Sequence, residues 1–413
     1  MLFLFVLLLS LTGMLKAQVT TAGMSGKVMA DEESVIGATV VAVHEPSGTS
    51  YGTVTNVDGR FSLQGMRSGG PYKVTVSYIG YQTAIYTDIQ LQLGETYSLN
   101  VTLHEASELL GEITITASKS KFSAEKTGAT TNISSEQLTT LPSINRSISD
   151  FTRISPYASG NSFGGRDGRS NTFTVDGANL NNNFGLSSGL PGGGNPISLD
   201  AIDEVQVVIA PYDVRQANFI GAGINAITKS GTNAYRGSAY MYFNNEVMRG
   251  NKIGDTDFGV RAEESKTVYG ATFGGPIIKD KLFFFANVEY EKSPQQVITW
   301  RAAKEGETPN NSTISRTTEA DLAEFSQILK DKYGYNTGSF TDFPADVTNL
   351  KLLGRIDWNI NQGNKLSVRY NFTNNKTWEA PNGSSGNTGY RLAYNRVSAY
   401  SMSYANSCYS LQN

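Results

Sequence analysis

Residues 366–373 read Leu-Ser-Val-Arg-Tyr-Asn-Phe-Thr, so Leu366, Val368, Tyr370 and Phe372 share one face of an extended strand and Ser367, Arg369, Asn371 and Thr373 the other. Side chains of a strand alternate between faces, so this period of two calls for a sheet with one apolar and one polar side. Ile356, Trp358 and Ile360 against Arg355, Asp357 and Asn359 repeat the pattern, and the runs near Tyr240, Phe273 and Phe284 repeat it less perfectly. From Asn233 onward the strands reach about ten residues, the length a tilted membrane-crossing strand requires. Their connections alternate: Lys279-Asp280 and Asn361 to Asn364 are tight, whereas Asn244 to Glu264, Ser293 to Asn349 and Lys376 to Asn395 are long. That rhythm fits a barrel with lipid outside, water inside, turns on one side and loops on the other. In the longest loop Thr318 and Asp321 can cap a helix whose Leu322, Phe325, Ile328 and Leu329 share a face, and a packed surface helix is expected there.

At the other end, residues 2–15 form an apolar run followed by Lys16-Ala17-Gln18. The run is too short for a spanning helix of about 20 residues and reads as a signal peptide, residues 1–17, cleaved after Ala17. No Lys or Arg precedes it, which leaves room for a start upstream of Met1. No later stretch reaches spanning length as a helix, so residence in a membrane must be by strands. The charge balance, 34 Lys and Arg against 37 Asp and Glu, offers no electrostatic footprint for nucleic acid. Charged residues are only 17% of the 413, and 42 glycines help fill the gap, a mixture suited to strands and turns. The single cysteine, Cys408, cannot form an internal disulfide, and His44 and His104 are the only histidines. No metal, cofactor or catalytic activity is expected.

Between these ends, residues 18–105 carry short alternating runs at Gly23 to Met29, Ala38 to Glu45, Tyr51 to Asn56, Arg60 to Met66, Tyr72 to Ile79 and Tyr97 to His104. Six such runs suggest a β-sandwich, with Tyr72, Val74, Val76 and Tyr78 packed on one face. Asp58-Gly59 is a tight-turn signal expected to join its flanking strands as a hairpin. His44 and His104 fall at strand ends, where solvated surface histidines are expected. The order Ser25-Gly26-Lys27-Val28, Gly37-Ala38-Thr39-Val40, Gly52 to Phe61 and Val76 to Tyr81 resembles the carboxypeptidase regulatory-like domain. The resemblance implies a non-catalytic module of the kind that precedes outer-membrane receptors.

Residues 106–119 read as a linker holding one lone strand, Glu112, Ile113, Thr114, Ile115, Thr116 and Ala117, between polar flanks. Its β-branched residues favour an extended backbone able to pair with another protein's sheet edge. It resembles a TonB box. Within residues 120–230, Ser134 or Ser135 caps a short helix. Gly164 to Gly177 follows and includes Arg166, Arg169 and Asp176, and Leu199 to Val208 leads to Gly221 to Lys229. This order resembles the plug domain of TonB-dependent outer-membrane receptors, and Arg166, Arg169 and Asp176 are expected to hold the plug inside a wet barrel. Gly221 to Ala226 fits a dinucleotide fingerprint only on paper, because Ile224, Ala226 and Thr228 continue as a strand. Gly192 to Gly194 lacks the Lys-Ser or Lys-Thr of a phosphate loop. Ile209 to Gln216, where many receptors carry an arginine-glycine-proline turn, together with the Asn179 to Pro196 insertion, resembles the Oar-like subgroup of Bacteroidetes-type bacteria.

The expected fold is therefore β-dominated: an N-terminal β-sandwich, an α+β plug, and from residue 231 to 413 the first strands of an incomplete antiparallel transmembrane β-barrel. Six strands against the about 22 of a plugged transporter suggest the N-terminal part of a longer receptor, non-transporting as it stands. The resemblance implies uptake of an unidentified extracellular ligand across the Gram-negative outer membrane. The partners it implies are outer-membrane lipid and TonB with its inner-membrane energising complex. A surface adhesin without transport is the alternative, and a secreted hydrolase is disfavoured by the shortage of histidines.

Overall fold

A computed structural model describes residues 19–30, 33–105, 113–116, 129–143, 146–181, 195–211, 213, 216–217, 219–257, 265–294, 301–309, 314–338, 346–379 and 391–406. The signal peptide and the Gly192 to Gly194 run lie outside these residues.

The N-terminal unit is a sandwich of two sheets. In the first, β1 (Ala22–Ala30) pairs antiparallel with β4 (Arg60–Met66) and parallel with β7 (Thr96–Ser98) and β8 (Val101–Leu103). The second runs in the order β9 (Ile113–Thr116), β6 (Ala84–Leu91), β5 (Gly69–Ser77), β2 (Thr39–His44), β3 (Thr49–Val54). Met24, Val28, Val40, Ala42, Met66, Tyr72, Val74, Val76 and Ile89 are wholly buried between the sheets. Each large apolar side chain so placed contributes about 1.5–3 kcal/mol relative to exposure.

The sandwich departs from the sequence expectations at four points. The Asp58-Gly59 turn forms, with Gly59 at φ 73° and Asn56 Oδ1 accepting from the backbone N–H groups of Asp58 and Arg60. The strands it joins do not form a hairpin, since β3 pairs with β2 and β4 with β1, so the chain crosses between sheets and each strand covers the core from its own side. β6 escaped notice because Asp88, at φ 60°, interrupts its alternation where the ladder to β5 slips. Tyr78 lies beyond the end of β5 and is exposed. His44 is not a solvated histidine: its ring lies 5.0 Å from that of Tyr72, and burial, then the Arg67 charge, lower its pKa to about 3. His104 is exposed.

The inner unit is a mixed sheet in the order β10 (Ala129–Ser134), β13 (Ile202–Ala210), β14 (Gly223–Thr228), β11 (Thr172–Val175), β12 (Ala178–Asn179). The dinucleotide look-alike thus runs into strand β14. Helices α1 (Ser135–Thr140) and α2 (Ile148–Thr152) each start on a capping box, Ser134 with Gln137 and Ser147 with Asp150. A reciprocal box satisfies two orphan N–H groups and lets such short helices persist.

The third unit is a wall of six antiparallel strands in chain order: β15 (Arg236–Asn245), β16 (Ser265–Ile278), β17 (Leu282–Pro294), β18 (Asp346–Asn359), β19 (Asn364–Glu379) and β20 (Arg391–Asn406). The strands run from 10 to 16 residues, long enough for a tilted membrane crossing. Leu352, Ile356, Trp358, Val368 and Tyr370 face outward, while Lys351, Arg355, Arg369, Asn371, Thr373 and Asn375 are buried on the inner face. The tight turns after Ile278 and Asn359 lie on one side. The long-loop helix, α3 (Glu319–Tyr333), has its Thr318–Asp321 box and ends at Gly334. It is not a packed helix, however: Phe325 and Ile328 are exposed, and none of its residues is buried.

Candidate functional site between the inner unit and the wall

Arg355 and Arg369 stand directly opposite each other on β18 and β19. Both point inward because their strand neighbours Ile356, Val368 and Tyr370 take the apolar face. Like charges placed directly opposite repel, and these guanidiniums are about nine-tenths shielded from water. Asp176 of the inner unit answers them, at 3.9 Å from Arg355 Nη1 and 3.5 Å from Arg369 Nε. Asp176 sits just beyond β11 at φ 48°, a conformation Asp tolerates better than most residues. Its carboxylate also accepts from Thr228 N at 3.0 Å and Thr228 Oγ1 at 2.6 Å, which fixes it in place. Arg355 in turn donates to Thr228 O at 2.5 Å and to Asp357 Oδ2 at 2.7 Å.

A second contact lies along the same wall. Glu289 and Lys351 are opposite each other on β17 and β18 and form a buried ion pair of 2.7 Å. The free oxygen of Glu289 accepts from Ser198 Oγ at 2.8 Å and Tyr240 OH at 2.9 Å. Thr373 Oγ1 donates to Pro196 O at 2.6 Å, and Arg146 pairs with Asp200 while its guanidinium covers the Tyr242 ring at 3.8 Å. Phe285 and Leu353 of the wall join Ile133, Phe173, Val205 and Val207 in the inner unit's core.

Of the residues singled out in the sequence, Asp176 lies in this interface. Arg166 and Arg169 do not meet the wall: both are exposed, and Arg169 Nε pairs with Asp167 Oδ1 at 2.9 Å. Asp167 caps the short turn Gly168–Ser170 and draws Arg169 back onto its own loop. Of residues 112–117, Glu112 and Ala117 lie outside the described residues. Ile113–Thr116 is not a lone strand, since its backbone pairs parallel with residues 84–87 of β6. Arg355 and Arg369 were readable as inward-facing, but Glu289, Lys351, Ser198 and Tyr240 gave no local signal, because their partners lie 42 to 91 residues away. Among the described residues no group of three His, Cys, Asp or Glu could hold a metal.

Residues 23–104 match the family model of the carboxypeptidase regulatory-like domain, and residues 227–407 match that of an outer membrane beta barrel domain. The wall is thus an outer membrane beta barrel domain. Over 344 residues the chain is 25% identical to the TonB-dependent transporter Oar of Myxococcus xanthus, a match covering 78% of this chain and 30% of that relative. The chain thus spans less than a third of the length of the curated relative it matches. Among solved structures it is similar to the outer membrane transporter YddB from Escherichia coli, with a TM-score of 0.44 and 15% identity over 68% of this chain and 37% of that one. It is also similar to the siderophore receptor PirA from Pseudomonas aeruginosa, with a TM-score of 0.37 and 16% identity over 69% of this chain and 44% of that one.

Proposed function

We propose that the chain provides the coupling segment, plug and barrel strands of a TonB-energised receptor that takes up an unidentified extracellular ligand. The inner unit, residues 120–230, is the plug. The observation that carries this reading is Asp176 set between Arg355 and Arg369 of the wall. A permanent core would be joined by apolar packing, and among the described residues the wall lends Phe285 and Leu353 to the inner unit's core. The other contacts named above are hydrogen bonds, ion pairs and the Arg146–Tyr242 stacking, polar groups that water entering a barrel lumen can solvate as the plug leaves its seat.

In this reading the segment 112–117 pairs with TonB through its backbone, and the inner-membrane complex behind TonB supplies the pull. The outward row of Ile356, Trp358, Val368 and Tyr370 meets lipid. No step is catalysed. A photo-crosslinker in place of Thr114, with the protein in its own outer membrane, should capture TonB in living cells. Correctly inserted protein that yields no TonB adduct from any position in 112–117 would refute the coupling reading.

A further inference from the structure

The N-terminal sandwich touches the wall and the inner unit at once, on the side of the wall's tight turns. Thr49 Oγ1 accepts from Asn359 Nδ2 at 2.9 Å, and the same Asn359 amide donates to Asp280 O at 3.0 Å, tying both wall turns to the sandwich. Behind Thr49 a buried chain runs inward, Ser47 Oγ lying 2.8 Å from Thr49 Oγ1 and 2.7 Å from His44 Nδ1. Pro46 O accepts from Asn233 N at 2.8 Å, and Asn233 is bound to Asp280 in both directions, at 2.7 and 2.9 Å. Gly48 fits so closely that a Cβ there would stand 2.0 Å from Asp280 Oδ1. Lys365 Nζ lies 3.1 Å from the centre of the Tyr51 ring.

Leu93, just beyond β6, grips the inner unit with both of its backbone groups. Its N–H donates to the two carboxylate oxygens of Glu204 at 3.1 Å each, and its carbonyl accepts from Gln206 Nε2 at 2.5 Å. Glu204 and Gln206 lie on β13 and are buried. Beside them Asn132 donates to Gln92 and Glu95. Between the three units remains a cavity of about 20 Å³ lined in part by Arg67, Ser68, Asp203 and Arg369, room for roughly one water.

We propose that the regulatory-like sandwich is a periplasmic clamp, which at rest pins β13 of the plug to the tight turns of the wall and must undock from those turns before the plug can move. The proposal takes the plug and its energised displacement from the function proposed above. One rigid sandwich holds β13 at Leu93 and the wall at Pro46 and Thr49. A shift of β13 by much more than about 1 Å would stretch one set of bonds past hydrogen-bonding distance. The strand assigned to TonB is the outermost strand of the sheet that ends in β3, where Thr49 lies. A pull on residues 113–116 therefore loads the clamp first.

Ser68 is a buried sandwich residue facing the shared cavity. In a Cys408→Ser background, Ser68→Cys in isolated outer-membrane fragments should react slowly with a bulky maleimide. Gly48→Ala, which drives a methyl against Asp280 and also strains a backbone held at φ 62°, should raise that rate by roughly tenfold or more as the sandwich undocks. Asp280→Gly, which removes the opposing carboxylate and accepts the φ of 62° at that position, should restore slow labelling. A control cysteine at Val74 in the sandwich core should stay unreactive throughout, and if Gly48→Ala exposes it, a Thr49→Val and Asn359→Ala pair takes its place. Unchanged labelling in the undocking variants, or a rise in Gly48→Ala that Asp280→Gly does not lessen, would overturn the clamp. In energised cells a disulfide between Thr49→Cys and Asn359→Cys should abolish any protonophore-sensitive labelling of Ala222→Cys in the plug. Such labelling persisting under the lock would also overturn it. An unlocked protein whose plug never becomes reactive on energisation would instead count against the transport reading, with the resting clamp still judged by Gly48.

Discussion

Replacing Asp176 by Asn removes a charge and the acceptor of the Thr228 hydroxyl. Asn tolerates the left-handed backbone at φ 48°, and its amide oxygen can still accept from Thr228 N. What disappears is a negative charge 3.5 and 3.9 Å from two buried guanidiniums. At an effective dielectric constant near 20, each of those attractions is roughly 4–5 kcal/mol before desolvation is counted. Breaking one side of a buried ion pair typically costs about 3–5 kcal/mol net. Asp357 stays at 2.7 Å from Arg355 and continues to neutralise it, so about 2–4 kcal/mol is expected for Asp176→Asn. The assay is pulse proteolysis over a urea series on the detergent-extracted protein, following cleavage within residues 129–228. Arg369→Gln, which removes the opposing charge, should make Asp176→Asn less costly, with a coupling of about 1–3 kcal/mol in the double-mutant cycle. A midpoint shift worth less than about 0.5 kcal/mol for Asp176→Asn would mean that the wall arginines do not depend on the inner unit, and the argument from that contact would fail.

The other contacts make separate claims. Burial raises the pKa of Glu204 from its ordinary 4.5 to about 8 against the Leu93 N–H, so its favourable contribution is complete below pH 4.5 and lost as pH rises through 8. Labelling of Ser68→Cys, divided by that of free cysteine at the same pH because only the thiolate reacts, should accordingly quicken between about pH 5 and 8, and Glu204→Gln should flatten that normalised profile; equal normalised slopes in both proteins would contradict it. For His44, held down at about 3, the sign is opposite, since its contribution is present above pH 6.5 and lost as pH falls toward 3. Sandwich stability followed by denaturant midpoint should therefore drop by roughly 3 kcal/mol from pH 7 to 4, at about 1.4 kcal/mol per pH unit below 6.5, and His44→Gln should lose most of that drop. Ile115→Pro deletes a backbone donor inside the ladder to β6, so TonB adducts at Thr114 should fall while the core of the sandwich keeps its urea midpoint. Undiminished adducts would place coupling elsewhere.

What the sequence made legible was whatever depends on period and on short-range turn chemistry. The inward row of Arg355, Asp357, Arg369, Asn371 and Thr373 could be read because one β-strand sorts side chains by parity alone. The tight turns at Lys279-Asp280 and Asn361 to Asn364 and the capping boxes at Ser134 and Thr318 could be read because their partners lie within a few residues. Partner choice across long separations could not. The Asp58-Gly59 turn does not reveal that its strands part into different sheets, and a Gly-Arg-Asp-Gly-Arg run does not reveal that Asp167 keeps Arg169 on its own loop. His44 was misread for the same reason, because its burial comes from Tyr72, 28 residues on in a neighbouring strand.

The two contacts between the inner unit and the wall are not equivalent, and strand register explains why. On β17 and β18 the register sets Glu289 against Lys351, so that pair is neutral without help from the inner unit. On β18 and β19 it sets Arg355 against Arg369, so the second guanidinium looks inward for a counter-charge. Ser198 therefore adds one neutral donor to a carboxylate that keeps Lys351 and Tyr240 when Ser198 leaves. Asp176 takes its counter-charge away from Arg369, while Asp357 still answers Arg355. Ser198→Ala should then cost only about 0.5–1.5 kcal/mol in the pulse-proteolysis assay, the worth of one hydrogen bond whose acceptor stays satisfied, well below Asp176→Asn. The residue 195–200 end of the inner unit should for the same reason be the first to separate from the wall, with the Asp176 end holding until water reaches the arginines. A Ser198→Ala variant as damaging as Asp176→Asn would refute that order, because it would show that the Glu289–Lys351 pair also leans on the inner unit.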